Sequence, residues 1–140
     1  NGRPKEAVSF PCFDYFDLAE RDFEESEFLG YLQQKYLFVI YRADDEGVFR
    51  LADVCFWQMP DADYSEARRC FDQMKNNVLQ GRADVSVKSS ENRCCHVRPH
   101  GRDSSDTWPQ PYGEPVVKKC FWFNQSYLAE QIAKTLQDER

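Results

Sequence analysis

The chain has 140 residues, of which 41% are hydrophobic and 15% aromatic, enough for one domain with a packed core. This aromatic content excludes a disordered chain, although 30% of the residues are charged. The formal net charge of −6 excludes a uniformly basic nucleic-acid-binding protein.

Membrane and secreted classes are disfavoured by the same sequence. The longest apolar run covers residues 36–41 and is far shorter than the span of about 20 residues that a membrane helix needs. No secretory signal pattern opens the chain, and Asn1 rather than a methionine stands first, so we expect a segment of a longer protein. Four of the six cysteines precede a phenylalanine in apolar context, which predicts reduced thiols and a cytoplasmic protein without a membrane partner.

Charge is unevenly distributed along the chain. Residues 88–119 contain six Lys/Arg and four Asp/Glu, a balance of +2, and both histidines. The remaining residues carry 12 basic and 20 acidic groups, a balance of −8. One basic segment on an acidic body permits contact with a polyanion through one edge.

The first half of the chain predicts helices and a hairpin. After an apolar stretch at residues 8–13, residues 14–27 are strongly acidic, and Ser26 is placed to cap a helix. The aromatic and β-branched run 35–41 predicts a buried strand. A turn at residues 44–47 then leads to a second strand over 48–57.

The second half begins with the strongest helical pattern. Apolar residues from Tyr64 to Val78 recur at spacings of three and four, and Gly81 follows as a stop. Short strands are predicted at 94–98 and 118–123, separated by an irregular Pro/Gly loop over 99–115. Asn124 or Ser126 caps a last helix. The fold class is therefore α+β, a mostly antiparallel sheet flanked by helices.

Residues 95–102 are the most informative segment for function. Two arginines and two imidazoles lie at a strand end that runs into a Pro/Gly loop, where a rigid scaffold can present them. Arginine can hold guanine bidentately, and lysines at the start of the next strand can neutralise phosphates. The alternative is a surface loop whose arginines pair with neighbouring carboxylates. The candidate DNA-binding residues are His96, Arg98, His100, Arg102, Lys118 and Lys119.

Six blocks of the sequence stand out together: residues 2–6 (GRPKE), 23–26 (FEES), 35–41 (KYLFVIY), 56–60 (FWQMP), 96–103 (HVRPHGRD) and 117–124 (VKKCFWFN). In this combination they resemble the MutH and GATC-cutting type II restriction endonucleases. These blocks follow the order found in that family, and they extend over nearly the whole chain.

The resemblance implies a restriction-endonuclease-like fold that binds GATC duplex DNA. In the family, the positions matched by Arg98 and His100 face the DNA at the recognition loop, although MutH itself has a lysine where this chain has His100. Lys35 is a further candidate, because the family has a functional lysine near this strand start. The methylation-sensing tyrosine of the family falls near residues 116–117, both of which are valines here.

Catalysis in this fold uses an Asp followed by Glu-x-Lys, in which the carboxylates hold Mg²⁺. No Asp/Glu-x-Lys occurs in this chain. In the family the motif lies upstream of the GRPKE block, and some members carry a catalytic N-terminal copy and a DNA-binding C-terminal copy. Residues 1–140 are thus expected to be a single MutH-like effector segment without catalytic or metal-binding residues. Its partners would be double-stranded DNA and an upstream Mg²⁺-dependent catalytic domain of the same protein.

Two other interpretations remain open from the residues. Cys94, Cys95, His96 and His100 cluster locally as a possible metal site, although adjacent cysteines on a strand point to opposite faces. A small hydrolase or phosphodiesterase could use His96 and His100 as an acid–base pair. The acidic stretch 14–27 could supply a Mg²⁺ ligand, but a solvated helix face is favoured. Trp108 is a candidate partner contact, whereas Trp122 is assigned no function.

Overall fold

The computed structural model describes residues 8–139, so the GRPKE block at residues 2–6 lies outside the described part. The described chain contains helices and strands in mixed order, with short 3-10 turns between them. The helices are α1 (Tyr15–Glu20), α2 (Glu27–Leu32), α3 (Tyr64–Leu79) and α4 (Gln125–Asp138). The strands are β1 (Lys35–Ala43), β2 (Phe49–Gln58), β3 (Cys95–Pro99), β4 (Thr107–Gln110), β5 (Gly113–Val117) and β6 (Lys119–Phe123). The expected α+β class is confirmed.

Capping side chains and a glycine mark the ends of several helices. The Ser26 hydroxyl accepts a hydrogen bond from the Leu29 amide at 3.1 Å and caps α2, as predicted. Helix α3 buries its apolar stripe and is followed by Gly81, whose φ of +74° favours glycine. Asn124 occupies the N-cap of α4, which selects between the two predicted caps. No helix in the described range is long and apolar enough to cross a membrane.

Strand pairing differs from the single sheet that was predicted. The described strands form three separate two-stranded antiparallel sheets, β1–β2, β3–β6 and β4–β5. The free edge of β6 is covered by residues 8–13, which run beside it instead of another regular strand. The Phe10 amide donates to the Phe121 carbonyl at 3.0 Å, and the Phe123 amide donates to the Val8 carbonyl at 3.0 Å. An irregular segment therefore satisfies the backbone that a third strand would otherwise pair.

The irregular loop predicted over residues 99–115 is wrong in its second half. Strands β4 and β5 form a hairpin there, in which Trp108 lies opposite Val116. A register shift between Trp108 and Gln110 accommodates the proline at position 109. The Gln110 side chain donates to the Glu114 carbonyl at 3.1 Å and accepts from the Tyr112 amide at 3.1 Å, which closes the turn. A side-chain amide thus replaces backbone pairing that the prolines remove.

Aromatic side chains around β6 form the centre of the core. Phe121 stacks on Phe28 with a centroid separation of 4.2 Å, and Phe123 packs edge-on against Phe10 at 5.1 Å and Trp57 at 5.6 Å. Such pairs add to the free energy of burial because ring edges meet ring faces. All six cysteines are free thiols, five of them buried.

The β1–β2 hairpin uses only one face in this packing, so the prediction of a buried strand over 35–41 is wrong: its side chains alternate between half-buried and exposed. On the inner face, Tyr36 and Trp57 contact Phe123, and the Trp57 Nε1 donates to the Gln131 side chain of α4 at 3.1 Å. On the outer face, Leu37 and Phe56 lie opposite each other and are exposed. The alternation of strand side chains assigns successive residues to opposite faces.

Candidate functional site

The predicted segment 95–102 begins in β3, which pairs with β6 in an antiparallel ladder that has two different faces. In an antiparallel ladder, residues directly opposite each other share a face. His96 lies opposite Trp122, and Arg98 lies opposite Cys120, so these four residues form one face. We call this face of the ladder the ladder surface. It continues into the loop after β3, which begins at His100.

Trp122 is the platform of the ladder surface. The Arg98 guanidinium carbon lies 3.7 Å from the centroid of its ring, within the range of a cation–π contact. The His100 ring meets it edge-on at 5.2 Å, and the His96 ring lies parallel to it at 6.2 Å. Trp122 is 8% exposed, whereas Arg98 and His100 are exposed to solvent. Three basic side chains are therefore grouped around one buried aromatic ring.

His96 is held in one orientation by Asn124. The Asn124 amide nitrogen donates to the Asn92 carbonyl at 2.6 Å and to the Ser89 carbonyl at 3.4 Å, so its oxygen faces the His96 Nδ1 at 2.7 Å. The Nδ1–H consequently donates to this oxygen. Burial lowers the pKa of His96, the Asn124 hydrogen bond opposes this, and the charge of Arg98 lowers it further. A neutral imidazole at pH 7 leaves Nε2 as an acceptor.

The loop beyond His100 is organised by Asp106. Its carboxylate accepts the Arg102 backbone amide at 3.1 Å and the Lys118 ammonium at 3.0 Å. The Arg102 amide, followed by the Lys118 side chain, lowers the pKa of Asp106 and keeps it ionised. A Cβ at Gly101 would approach the Asp106 Cβ to 3.0 Å, so a larger residue there would push against Asp106. The loop is therefore ordered by a carboxylate that also reduces the local positive charge.

Arg102 and Lys118 are placed differently by this loop. The Arg102 side chain is 82% exposed, with its Nε 3.9 Å from Asp106. The Lys118 ammonium is bound to Asp106 and lies 4.8 Å from the centroid of the Trp108 ring. Arg102 is thus available to a ligand, whereas Lys118 must leave its carboxylate to bind one. The alternative that the loop basic residues pair with nearby carboxylates holds for Lys118 and in weaker form for Arg102.

The prediction that Lys119 contacts a phosphate is wrong. Lys119 lies opposite Pro99 on the other face of the ladder and is 1% exposed. Its ammonium donates to the Ala83 carbonyl at 2.9 Å, and burial lowers its pKa to about 8. Because neighbouring strand residues point to opposite faces, Lys118 and Lys119 cannot serve the same surface.

Lys35 is not part of the ladder surface. It begins β1 in the β1–β2 sheet, and its ammonium lies 5.0 Å from the centroid of the Phe56 ring. It is exposed, so its predicted contact with a ligand remains a prediction for a separate part of the molecule.

Trp122 is the functional candidate that sequence reasoning missed. Its position within a run of buried aromatic residues predicts core, and four of its neighbours in β6 are indeed buried. The one available signal was the pairing of two strands with basic residues at alternate positions, His96 and Arg98. Finding the platform required the register that sets His96 opposite Trp122.

A metal site at Cys94, Cys95 and His96 is contradicted by the geometry. Cys95 lies on the core face opposite Phe123, whereas His96 lies on the ladder surface. Burial raises the pKa of Cys94 to about 12, which opposes the thiolate that a metal needs. Within residues 8–139, no three His, Cys, Asp or Glu side chains are placed to hold an ion. This cluster therefore offers no metal site among the described residues.

The acid–base hypothesis for His96 and His100 lacks an orienting carboxylate. His96 is bound to an amide, and Asp103 accepts from the Ser105 amide and hydroxyl. Asp106 is occupied by Arg102 and Lys118, as described above. Neither acidic residue proposed as a partner contacts an imidazole, and a catalytic His pair needs that contact to set its tautomer.

The acidic stretch 14–27 has structural partners of its own. The Asp14 carboxylate caps α1 by accepting from the Phe16 and Asp17 amides, and Asp17 pairs with Arg21. These residues border a groove of about 470 Å³ whose wall also includes Phe13. An acidic rim repels phosphate, so this groove is unsuited to a nucleic acid.

The chain is similar in sequence to the type II restriction enzyme Sau3AI of Staphylococcus aureus. The two are 27% identical over 177 residues, covering 94% of this chain. The chain spans 36% of the length of that relative. No family model matches the chain.

Proposed function

We propose that this chain is the DNA-reading part of a type II restriction enzyme and binds double-stranded GATC DNA through the ladder surface and its loop. The observation that carries the proposal is the exposed Arg98 guanidinium stacked on buried Trp122, within a chain similar to a restriction enzyme over 94% of its length. The recognition sequence follows from the family resemblance of residues 96–103 and 117–124.

Arg98 is the residue assigned to base recognition. The Arg98 guanidinium carbon lies 3.7 Å from the centroid of the Trp122 ring, which restricts its orientation, and the residue remains exposed to solvent. Its N–H groups can donate two parallel hydrogen bonds to guanine O6 and N7 in the major groove. The side chain loses little conformational freedom on binding because the ring already holds it.

The surrounding groups divide between positioning and base contact. His100 is exposed beside the same ring, and neutral His96 presents an acceptor to an exocyclic amino group. Arg102 is open to a phosphate. Lys118 would exchange Asp106 for a phosphate, which makes its contribution smaller than that of a free lysine.

The chain acts in this proposal as an effector module beside a catalytic domain of the same protein, which would hold Mg²⁺. Support comes from the lack of Asp/Glu-x-Lys in the sequence and of a carboxylate cluster in the described residues. The chain also spans only 36% of the relative, so the cleavage centre has room elsewhere in a protein of that length.

The test measures the dissociation constant of the 140-residue chain for a GATC duplex and a scrambled duplex by fluorescence anisotropy at two salt concentrations. We expect tighter binding to GATC, with an affinity that falls as salt rises. Arg98→Ala should weaken GATC binding about 10- to 100-fold and remove most of the preference.

Arg82→Ala is the matched control, because Arg82 is also exposed and the substitution changes the net charge equally. Arg82→Ala should weaken binding to the two duplexes equally and only slightly. Equal affinity for the two duplexes in the wild type, or equal effects of the two arginine substitutions, would reject the proposed recognition role.

A further inference from the structure

Residues 86–88 run beside β3, along the edge opposite β6. The Val97 amide donates to the Val87 carbonyl at 2.8 Å, and both valines are buried on the core face. The backbone is extended at Lys88, with φ −79° and ψ 152°. Because neighbouring residues of an extended chain point to opposite faces, Ser86 and Lys88 lie on the same side as the ladder surface.

Lys88 lies at the His96 end of this edge. The Asn124 side chain contacts both the Ser89 carbonyl, at 3.4 Å, and the His96 ring, at 2.7 Å. Lys88 therefore flanks His96, one segment away from β3. With about 4.8 Å between neighbouring segments and about 6.6 Å for two residues along a strand, the backbones of Lys88 and Arg98 are roughly 8 Å apart.

Lys88 differs from Lys118 and Lys119 in the availability of its charge. Lys119 is buried, and the Lys118 ammonium is bound to a carboxylate. Lys88 is exposed, and its ammonium forms no ion pair with a carboxylate among residues 8–139. The Glu91 carboxylate accepts the backbone amide of Lys88, at 3.1 Å, instead of its ammonium. A ligand can therefore use the charge of Lys88 without displacing an ion pair of the described chain.

We propose that Lys88 contacts a backbone phosphate of the same duplex whose bases Arg98 reads. The inference rests on the proposed function, and it supplies the phosphate contact that was predicted for Lys119. The major groove is about 12 Å wide, so a phosphate at its edge lies roughly 6 Å from a base contact at its centre. A flexible lysine whose backbone is about 8 Å from that of Arg98 can span this separation. Such a contact fixes the register of the chain on the duplex.

The experiment measures how the affinity of the 140-residue chain for GATC and scrambled duplexes depends on salt, by fluorescence anisotropy. Each neutralised phosphate contributes about 0.9 to the slope of log affinity against log salt concentration. Lys88→Met should reduce this slope by about 0.9 and weaken binding to both duplexes about 3- to 10-fold at roughly 0.1 M salt. The preference for GATC should stay unchanged, since a phosphate contact carries no sequence information.

Lys134→Met is the matched control, because Lys134 is also exposed and the substitution removes the same charge. It lies on α4, which packs on the β1–β2 hairpin through the bond between Gln131 and Trp57. Its slope should equal that of the wild type. Lys88→Arg keeps the charge, so it should retain both the slope and the affinity.

A slope for Lys88→Met equal to that for Lys134→Met would overturn the phosphate contact, and so would a loss of GATC preference as large as in Arg98→Ala. If Arg98→Ala still removed the preference, the proposed function would stand without Lys88. A wild type that binds both duplexes equally, with a slope that still falls in Lys88→Met, would support the phosphate contact and reject the proposed recognition.

Discussion

The two faces of the β3–β6 ladder differ in what surrounds them, although they share the same backbone. The core face includes Val97 and Phe121, which are buried among aromatic rings. On the ladder surface, Arg98 is exposed above Trp122. One-residue steps along a strand thus place buried core side chains and exposed basic side chains on opposite faces.

Two basic side chains, Lys119 and Arg98, illustrate the difference between the faces. Lys119 on the core face has its charge removed from water, and its pKa falls to about 8. Arg98 on the ladder surface is exposed to solvent while its guanidinium contacts the Trp122 ring. The first arrangement costs free energy for a charged group, and the second retains a charged group for a ligand at little cost.

The largest effect should follow from truncation on the core face. Phe123 is fully buried and contacts Phe10, Trp57 and Tyr127. Phe123→Ala should lower the free energy of unfolding by about 3–5 kcal/mol, because it removes buried ring area and leaves a cavity. Urea denaturation measures this change.

His100→Ala provides the comparison from the exposed side and should cost within about 0.5 kcal/mol. A loss for Phe123→Ala as small as that for His100→Ala would contradict the assignment of the core face.

A smaller effect should appear in the pH dependence of stability through Lys119. Its folded-state pKa of about 8 lies below the ordinary 10.5, so the unfolded chain binds more protons between these values. This group therefore adds stability as pH rises through that window. The unfolding free energy of the wild type minus that of Lys119→Met should rise by about 1–3 kcal/mol between pH ~7 and ~10.

The difference between wild type and variant is needed because buried tyrosines and cysteines also affect stability over this range. Their pKa values are raised on folding, so their contribution to the free energy of unfolding falls as pH rises. Lys88→Met alters an exposed lysine and should give a difference that is flat with pH. A flat difference for Lys119→Met as well would show that its charge is not buried.

The smallest expected effect concerns the platform itself. The Trp122 Nε1 is buried and has no hydrogen-bond acceptor among residues 8–139, so Trp122→Phe removes ring area without breaking such a bond. The variant should weaken GATC binding about 3- to 10-fold, because the Arg98 cation–π contact is worth about 0.5–2 kcal/mol. Binding to a scrambled duplex should change less.

Trp57→Phe is the control for a purely structural effect, since Trp57 is buried in the core and pairs with Gln131 instead of Arg98. It should lower stability without changing the preference for GATC. If both tryptophan variants reduced the preference equally, Trp122 would have no positioning role.

Local sequence determined the elements whose signals are contained within a few residues. Helix α3 was predicted because apolar residues recur along one face from Tyr64 to Val78, and the cap at Ser26 needs only the amide three residues later. The β1–β2 hairpin was predicted from two apolar runs around a turn, with the second strand found at Phe49–Gln58. The basic segment around Arg98 was also visible as composition.

Tertiary structure alone decided which residues meet and which face each one serves. Adjacent Lys118 and Lys119 look equivalent in sequence, yet strand alternation buries one and leaves the other beside Asp106. Trp122 became the platform only because the register sets it opposite His96, 26 positions earlier in the chain. Such pairings depend on the balance of burial over the whole core, which no local pattern contains. The exposed outer face of the β1–β2 hairpin is decided in the same way, since an apolar strand can be recognised from sequence but the layer that covers it cannot.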